Sequence, residues 1–300
     1  MNSLRGKAFQ KSKNKGSMSD TKQNEASLYI VATPIGNLED ITLRAIRILR
    51  EVSLIAAEDT RHTRKLLNAY DISTPLVSLH EHNEKEKSLL IISRIKSGMS
   101  VAYVTDAGTP CVSDPGHHLV KLMQAENLSV VPVPGPSAVI TALSASGFPA
   151  DNFVFYGFLP SKENKRRQFL AELKNEEKTA VLYESPNRFQ ATLRDMYNIL
   201  GEREIVIARE LTKIFEEIKH GKISELLKST GQGRSKGEFT IILRGKEKGK
   251  ITVSDDEIEK KIVDIWKHKN ISLRDCVSDI VKQTGWPKKK VYDLAVKLRS

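Results

Sequence analysis

Six short polar clusters in this chain each follow an apolar run, and they hold most of the side chains able to do chemistry. Glu58-Asp59-Thr60-Arg61 offers two carboxylates and a guanidinium side by side. Asp106-Ala107-Gly108-Thr109-Pro110 puts a carboxylate at the head of small turn formers. Pro34-Ile35-Gly36-Asn37 and Pro134-Gly135-Pro136-Ser137-Ala138 are small and uncharged, whereas Glu184-Ser185-Pro186-Asn187-Arg188 and Glu210-Leu211-Thr212-Lys213 again mix acid and base. Carboxylates beside cations suit proton transfer and charge control at a reacting oxygen. Small residues let a ligand approach the backbone, and the carboxyl edge of a parallel sheet is where open α/β folds hold ligands. Each cluster alone also fits an ordinary strand-to-helix turn, and Glu58, Asp59 and Arg61 also fit a local ion-pair and capping cluster.

Several other chemistries lack their residues. The first strand is not followed by Gly-x-Gly-x-x-Gly, and a Gly-x-x-x-x-Gly-Lys-Ser/Thr phosphate loop and a Gly-x-Ser-x-Gly elbow are missing. His80-Glu81-His82 and His117-His118 are the close histidine groups, neither with zinc-motif spacing, so no metal is expected.

The elements that must position the clusters alternate in period. Val101–Val104 is apolar and partly β-branched, the pattern of a strand buried on both faces, and Leu119, Val120, Leu122 and Met123 then recur with helical spacing. Further strands are read at Leu28–Ala32, Leu54–Ala57, Leu76–Leu79 and Leu128–Val133, with helices between them, which predicts a mostly parallel sheet. A second set at 153–157, 180–183, 205–208 and 239–243 lies closer together and predicts a mixed sheet. The tail is helical: Ser272 and Asp275 form a capping-box-like start, Gly285 stops that helix, and Pro287 suits the first turn of the next. Lys288, Lys289 and Lys290 then occupy a first turn, where the helix dipole disfavours cations; a solvated face and a phosphate contact are both open there.

The expected organisation is a basic disordered leader over 1–27, an N-terminal α/β domain over 28–150, a second α/β domain over 151–248 and a helical tail over 249–300. Residues 231–237 are glycine-rich and basic, the composition of a mobile loop. No apolar run approaches a membrane span, and the lysine-rich N-terminus lacks the apolar core of a secretory signal. Two distant cysteines, Cys111 and Cys276, suggest a reducing cytoplasm rather than a disulfide framework. A net charge of +11 favours a polyanionic partner, nucleic acid first.

Taken in order, Thr33–Leu38, Ala56–Arg61, Asp106–Pro110, Pro134–Ala138, Gly157–Pro160, Tyr183–Pro186 and Ala208–Lys213 resemble the tetrapyrrole methylase superfamily, and within it the members that methylate small-subunit ribosomal RNA. The likeness runs unbroken from Leu28 to Arg244. Tetrapyrrole-modifying members usually carry Gly-Asp-Pro where this chain has Asp106–Pro110, and Thr105 stands where Ser is usual. The resemblance implies two α/β domains with S-adenosylmethionine in the cleft between them, and a homodimer. It also implies methyl transfer to the ribose 2′-hydroxyl of a cytidine in the decoding region of 16S rRNA, either free or in the 30S subunit.

Methyl transfer from a sulfonium is an in-line displacement, so alignment dominates and a carboxylate that favours only the cation gains nothing in the transition state. The small loops therefore receive the cofactor: Pro34, Asp106, Gly108, Thr109, Ser137 and Ala138, with Tyr183 and Ala208 from the second domain. A ribose hydroxyl is a weak acid, so Glu58 or Asp59 is expected as base, with Arg61 and Lys213 stabilising charge or gripping phosphate. Two other readings stand beside this one: a tetrapyrrole methylase of the same fold, which the basic charge disfavours, and an rRNA-binding protein without turnover, which would need no cofactor.

Overall fold

In a computed structural model of the chain, describing residues 26–229, 237–247, 254–268 and 271–298, the strand β4 (Val101–Val104) is buried along its whole length. The leader to residue 25, residues 230–236 of the basic glycine-rich loop and residues 248–253 lie outside the described set. Around β4 are β1 (Leu28–Val31), β2 (Leu54–Ala57), β3 (Leu76–Ser78) and β5 (Val130–Val133), all parallel, in the order β3-β2-β4-β1-β5. Alternate residues of each strand serve opposite faces. Val31, Ile55, Ala57, Ala102, Val104 and Val133 pack with α1 (Leu43–Glu51) and α2 (Thr60–Ala69). Leu28, Ala56, Val101 and Tyr103 pack with α3 (Glu84–Lys96) and α4 (His117–Ala125). A sheet covered on both faces explains why β4 reads as a continuous apolar run.

Helix starts follow their caps. Thr42 Oγ1 accepts the Ala45 N–H at 3.1 Å to open α1, and Asp59 caps α2. Gly116 begins α4 at φ +116°, where a Cβ would stand 2.3 Å from Tyr103 Cε1. With no side chain of its own to cap, this turn uses Glu84 of α3, whose Oε1 accepts N–H bonds from Gly116, His118 and Leu119 at 3.1, 2.9 and 3.3 Å. Sequence spacing gives no sign of that cap, because the acceptor lies on a different helix.

The chain divides into two compact units between Ala138 and Val139, at the start of α5 (Ala138–Ala145). The second unit holds a mixed sheet of β6 (Phe153–Phe158), β7 (Thr179–Glu184), β8 (Glu204–Arg209), β9 (Glu217–Lys222) and β10 (Phe239–Leu243), in the order β6-β7-β10-β8-β9. Only the β6–β7 pair is parallel. Phe239, Ile241 and Leu243 face a core shared with α6 (Glu163–Glu172), α7 (Phe189–Leu200) and α8 (Ile223–Ser229). Inside this unit Asp195 accepts from buried Arg166 at 2.6 and 2.8 Å and from Arg167 at 2.8 Å. The tail forms α9 (Asp255–His268), α10 (Leu273–Thr284) and α11 (Lys288–Lys297) around their own core of Ile258, Ile262, Cys276, Val277, Ile280, Val291 and Ala295.

Candidate active site

Because β1 to β5 are parallel, every cluster that follows them emerges at one edge. The chain leaves β2 toward β3, through α2 on one face, and leaves β4 toward β5, through α4 on the other. Neighbouring strands whose connections diverge to opposite faces open a crevice at their carboxyl ends, and β2 and β4 are that pair. Glu58 to Arg61 and Asp106 to Thr109 border it.

The two loops are tied to each other. Asp106 Oδ1 accepts the Asp59 N–H at 3.1 Å, and Glu58 Oε2 accepts the Asp106 N–H at 3.4 Å. Asp106 therefore already spends one carboxylate oxygen on the protein. Asp59 is committed too: Oδ1 takes the Arg61 N–H at 2.8 Å, and the Arg61 guanidinium reaches Oδ2 at 3.2 Å. Hydrogen bonds from the Arg61 side chain and backbone hold the Asp59 carboxyl below its ordinary range. Glu58 behaves oppositely. Burial pushes its carboxyl up, against the Asp106 N–H, and the negative charge of Asp106 adds to the rise. Asp114 sits in the same field: burial raises it to about 6, opposed by the Thr105 hydroxyl and reinforced by Glu58 and Asp106. Spacing along the chain did not single out Asp114; only the fold sets it beside the other carboxylates.

The loops after β1, β4 and β5 meet at Gly108. Thr33 and Gly108 exchange both backbone hydrogen bonds, at 2.9 and 3.0 Å, and Thr109 Oγ1 donates to the Pro136 carbonyl at 3.2 Å. Gly108 has φ +80°, and a Cβ there would lie 3.4 Å from Ile35 Cγ2; one on Gly135 would lie 3.0 Å from Ala32 Cβ. Close backbone approach, with no side chain in the way, is what these glycines provide. Pro34, Asp106, Gly108, Thr109, Ser137 and Ala138 are thus gathered at this one edge.

The second unit places its candidates by register. Tyr183 and Ala208 both pair with Thr240 of β10, so they flank it in one row on the face opposite the α6–α8 core. The Tyr183 ring meets Phe155 and Phe158 with centroids 4.9 and 5.3 Å away. Lys213 follows β8, and its Nζ donates to Glu210 Oε1 at 2.9 Å and Glu238 Oε2 at 3.0 Å. Burial alone would lower the Lys213 ammonium, but those two carboxylates outweigh it and raise it. Among the described residues no group of His, Cys, Asp and Glu is arranged to hold a metal ion. His80 instead faces Asn83, with Nε2 at 3.1 Å from Nδ2.

Residues 27–227 match the family model of the tetrapyrrole (corrin/porphyrin) methylases. The chain belongs to this family. It is accordingly a methyltransferase. A relative from Halalkalibacterium halodurans, named ribosomal RNA small subunit methyltransferase I, is 43% identical over 279 residues, covering 91% of this chain and 96% of that protein. A relative of the same name from Thermotoga maritima is 50% identical over 220 residues, covering 73% of this chain and 99% of that protein. The fold is also that of Thermus thermophilus uroporphyrin-III C-methyltransferase, solved in complex with S-adenosylhomocysteine, with a TM-score of 0.51 at 18% identity, covering 72% of this chain and 97% of that one.

Proposed function

We propose that this methyltransferase uses S-adenosylmethionine to methylate small-subunit ribosomal RNA, at the ribose 2′-hydroxyl of a cytidine in the decoding region of 16S rRNA. The observation that carries the substrate class is the high identity, over most of both chains, to relatives named for that RNA. The net charge of +11 supports it. The edge of the first sheet fits the cofactor. Its glycines leave the backbone of three loops approachable, and Asp106 keeps one carboxylate oxygen for a ligand hydroxyl.

When bound, S-adenosylmethionine supplies an electrophilic methyl group on a sulfonium sulfur. Pro34, Gly108, Thr109, Ser137 and Ala138 hold and orient it by shape and backbone contact, so that alignment is set before reaction. Glu58 is the base: its carboxyl is raised toward the working pH and accepts the 2′-hydroxyl proton as the oxygen becomes nucleophilic. Asp59 fixes the start of α2 and holds Arg61, whose exposed guanidinium grips an RNA phosphate. In the second unit, Tyr183 and Ala208 are assigned as cofactor contacts and Lys213 as a phosphate contact.

A homodimer and a cytoplasmic location complete the proposal. Ile214 and Phe215, adjacent apolar side chains 95% and 75% exposed, support an association surface, and no helix among the described residues is long and apolar enough to cross a membrane. The test is incubation with radiolabelled S-adenosylmethionine and 30S subunits, deproteinised 16S rRNA or a tetrapyrrole precursor. Label in RNA, resistant to alkali at one cytidine, is expected. Label in the tetrapyrrole alone, or none in any acceptor, overturns the proposal.

A further inference from the structure

The tail lies beyond the span of the family match, which ends at residue 227, and it has a hydrophobic core of its own. The Thermotoga relative is matched over 99% of its length by 73% of this chain, so the matched fold does not need every segment present here. Within the tail, α10 and α11 are joined by Gly285, Trp286 and Pro287 alone. Gly285 closes α10 in the left-handed region at φ +67°, and Pro287 is the N-cap of α11. Two helices joined through a three-residue turn containing Gly make the connection of helix–turn–helix modules, which offer the start of the second helix to nucleic acid.

Charge singles out that start. α9 opens with Asp255, Asp256 and Glu257, and α10 has Asp275 in its first turn, both in accord with the helix dipole. α11 inverts the rule: its first three residues are Lys288, Lys289 and Lys290, all exposed. Among the described residues none of the three pairs with a carboxylate, although Asp293 is one turn on. Lys290 Nζ lies 5.6 Å from the centroid of the partly buried Trp286 ring, which fixes its direction. Tyr292, 47% exposed, is one helical turn from Lys288 and Lys289 and adds an aromatic surface to the same stretch. Trp286 gives Lys290 an aromatic partner, but among the described residues the fold offers Lys288 and Lys289 none where the dipole repels them; a polyanion does.

We propose that α10, its turn and α11 form an RNA-docking module, in which Lys288, Lys289 and Lys290 contact phosphates of the ribosomal RNA substrate. The module holds the substrate and takes no part in the chemical step. It rests on the RNA reading above, and the experiment separates the two. The full chain is compared with Lys288→Gln/Lys289→Gln/Lys290→Gln and with the corresponding triple Lys→Arg variant. Filter binding to deproteinised 16S rRNA across a salt series gives affinity and its salt slope, and methylation gives kcat and KM.

Each lost phosphate contact should flatten the slope of log affinity against log salt by about 0.7–0.9, so the Gln variant should be shallower by about 2–3. Its KM for RNA should rise with kcat unchanged, the Arg variant should match the parent, and the Gln variant should melt no lower than the parent. Unchanged affinity and slope in the Gln variant overturn the module while leaving the RNA reading standing. So does loss of binding to phosphatidylserine vesicles with RNA binding intact. If the parent neither binds nor methylates the RNA, both fall together.

Discussion

Glu58→Gln separates a catalytic carboxylate from a structural one. The ground-state role of Glu58 in the fold is slight: one oxygen accepts the Asp106 N–H at 3.4 Å, a long bond that the amide oxygen of Gln can also accept. A structural role therefore predicts a loss below about 1 kcal/mol, or roughly fivefold in rate. Removing a general base costs about 10²–10⁴. The two ranges do not overlap. Single-turnover methylation at saturating RNA and cofactor isolates the chemical step. Burial raises the Glu58 carboxyl, so the parent rate should climb with pH through a midpoint above the ordinary carboxylate range and then level. The Gln variant should lack that limb. Asp59→Asn is the control, because Asn caps a helix as well as Asp does; it should stay within a few-fold of the parent. A Glu58→Gln rate within fivefold of the parent with its pH limb intact refutes the assignment, as does the large loss appearing in Asp59→Asn instead.

Ala138→Leu should abolish S-adenosylmethionine binding in calorimetry while circular dichroism stays native, since Ala138 stands where the loop after β5 enters α5 and is only partly exposed. Glu84→Ala should cost about 1–2 kcal/mol in thermal unfolding through loss of the cap on α4, and Glu84→Gln, which keeps an acceptor oxygen, clearly less. Asp195→Ala strands buried Arg166 and should destabilise by about 3–5 kcal/mol in denaturant titration. Burial alone would raise the Asp195 carboxyl, but its bonds to Arg167 and Arg166 outweigh it and hold it low, so this contribution is present at neutral pH and lost as pH falls through that depressed value.

The parallel first sheet was legible because both its faces are buried, which writes continuous apolar runs at 28–31, 54–57 and 101–104 into the chain. Ser272 and Gly285 announced the ends of α10 by local chemistry, and the structure returns both as its caps. Pro287, expected in the first turn of α11, stands as its N-cap, one residue ahead of Lys288. β9 has no such signature: Glu217-Ile218-Lys219-His220-Gly221-Lys222 is an edge strand paired on one side, and too polar to carry a period-two signal. The sequence by itself determined which residue types end each strand, and hence the family and the candidate list. Only the tertiary structure decided their states. Glu58 and Asp59 are neighbours in the chain, yet one carboxyl is raised by burial and the other lowered by Arg61. Glu84, Asp114 and the row of Tyr183, Thr240 and Ala208 likewise depend on partners far along the chain. Desolvation and hydrogen bonding depend on what surrounds a group in space, and spacing along a chain does not encode that.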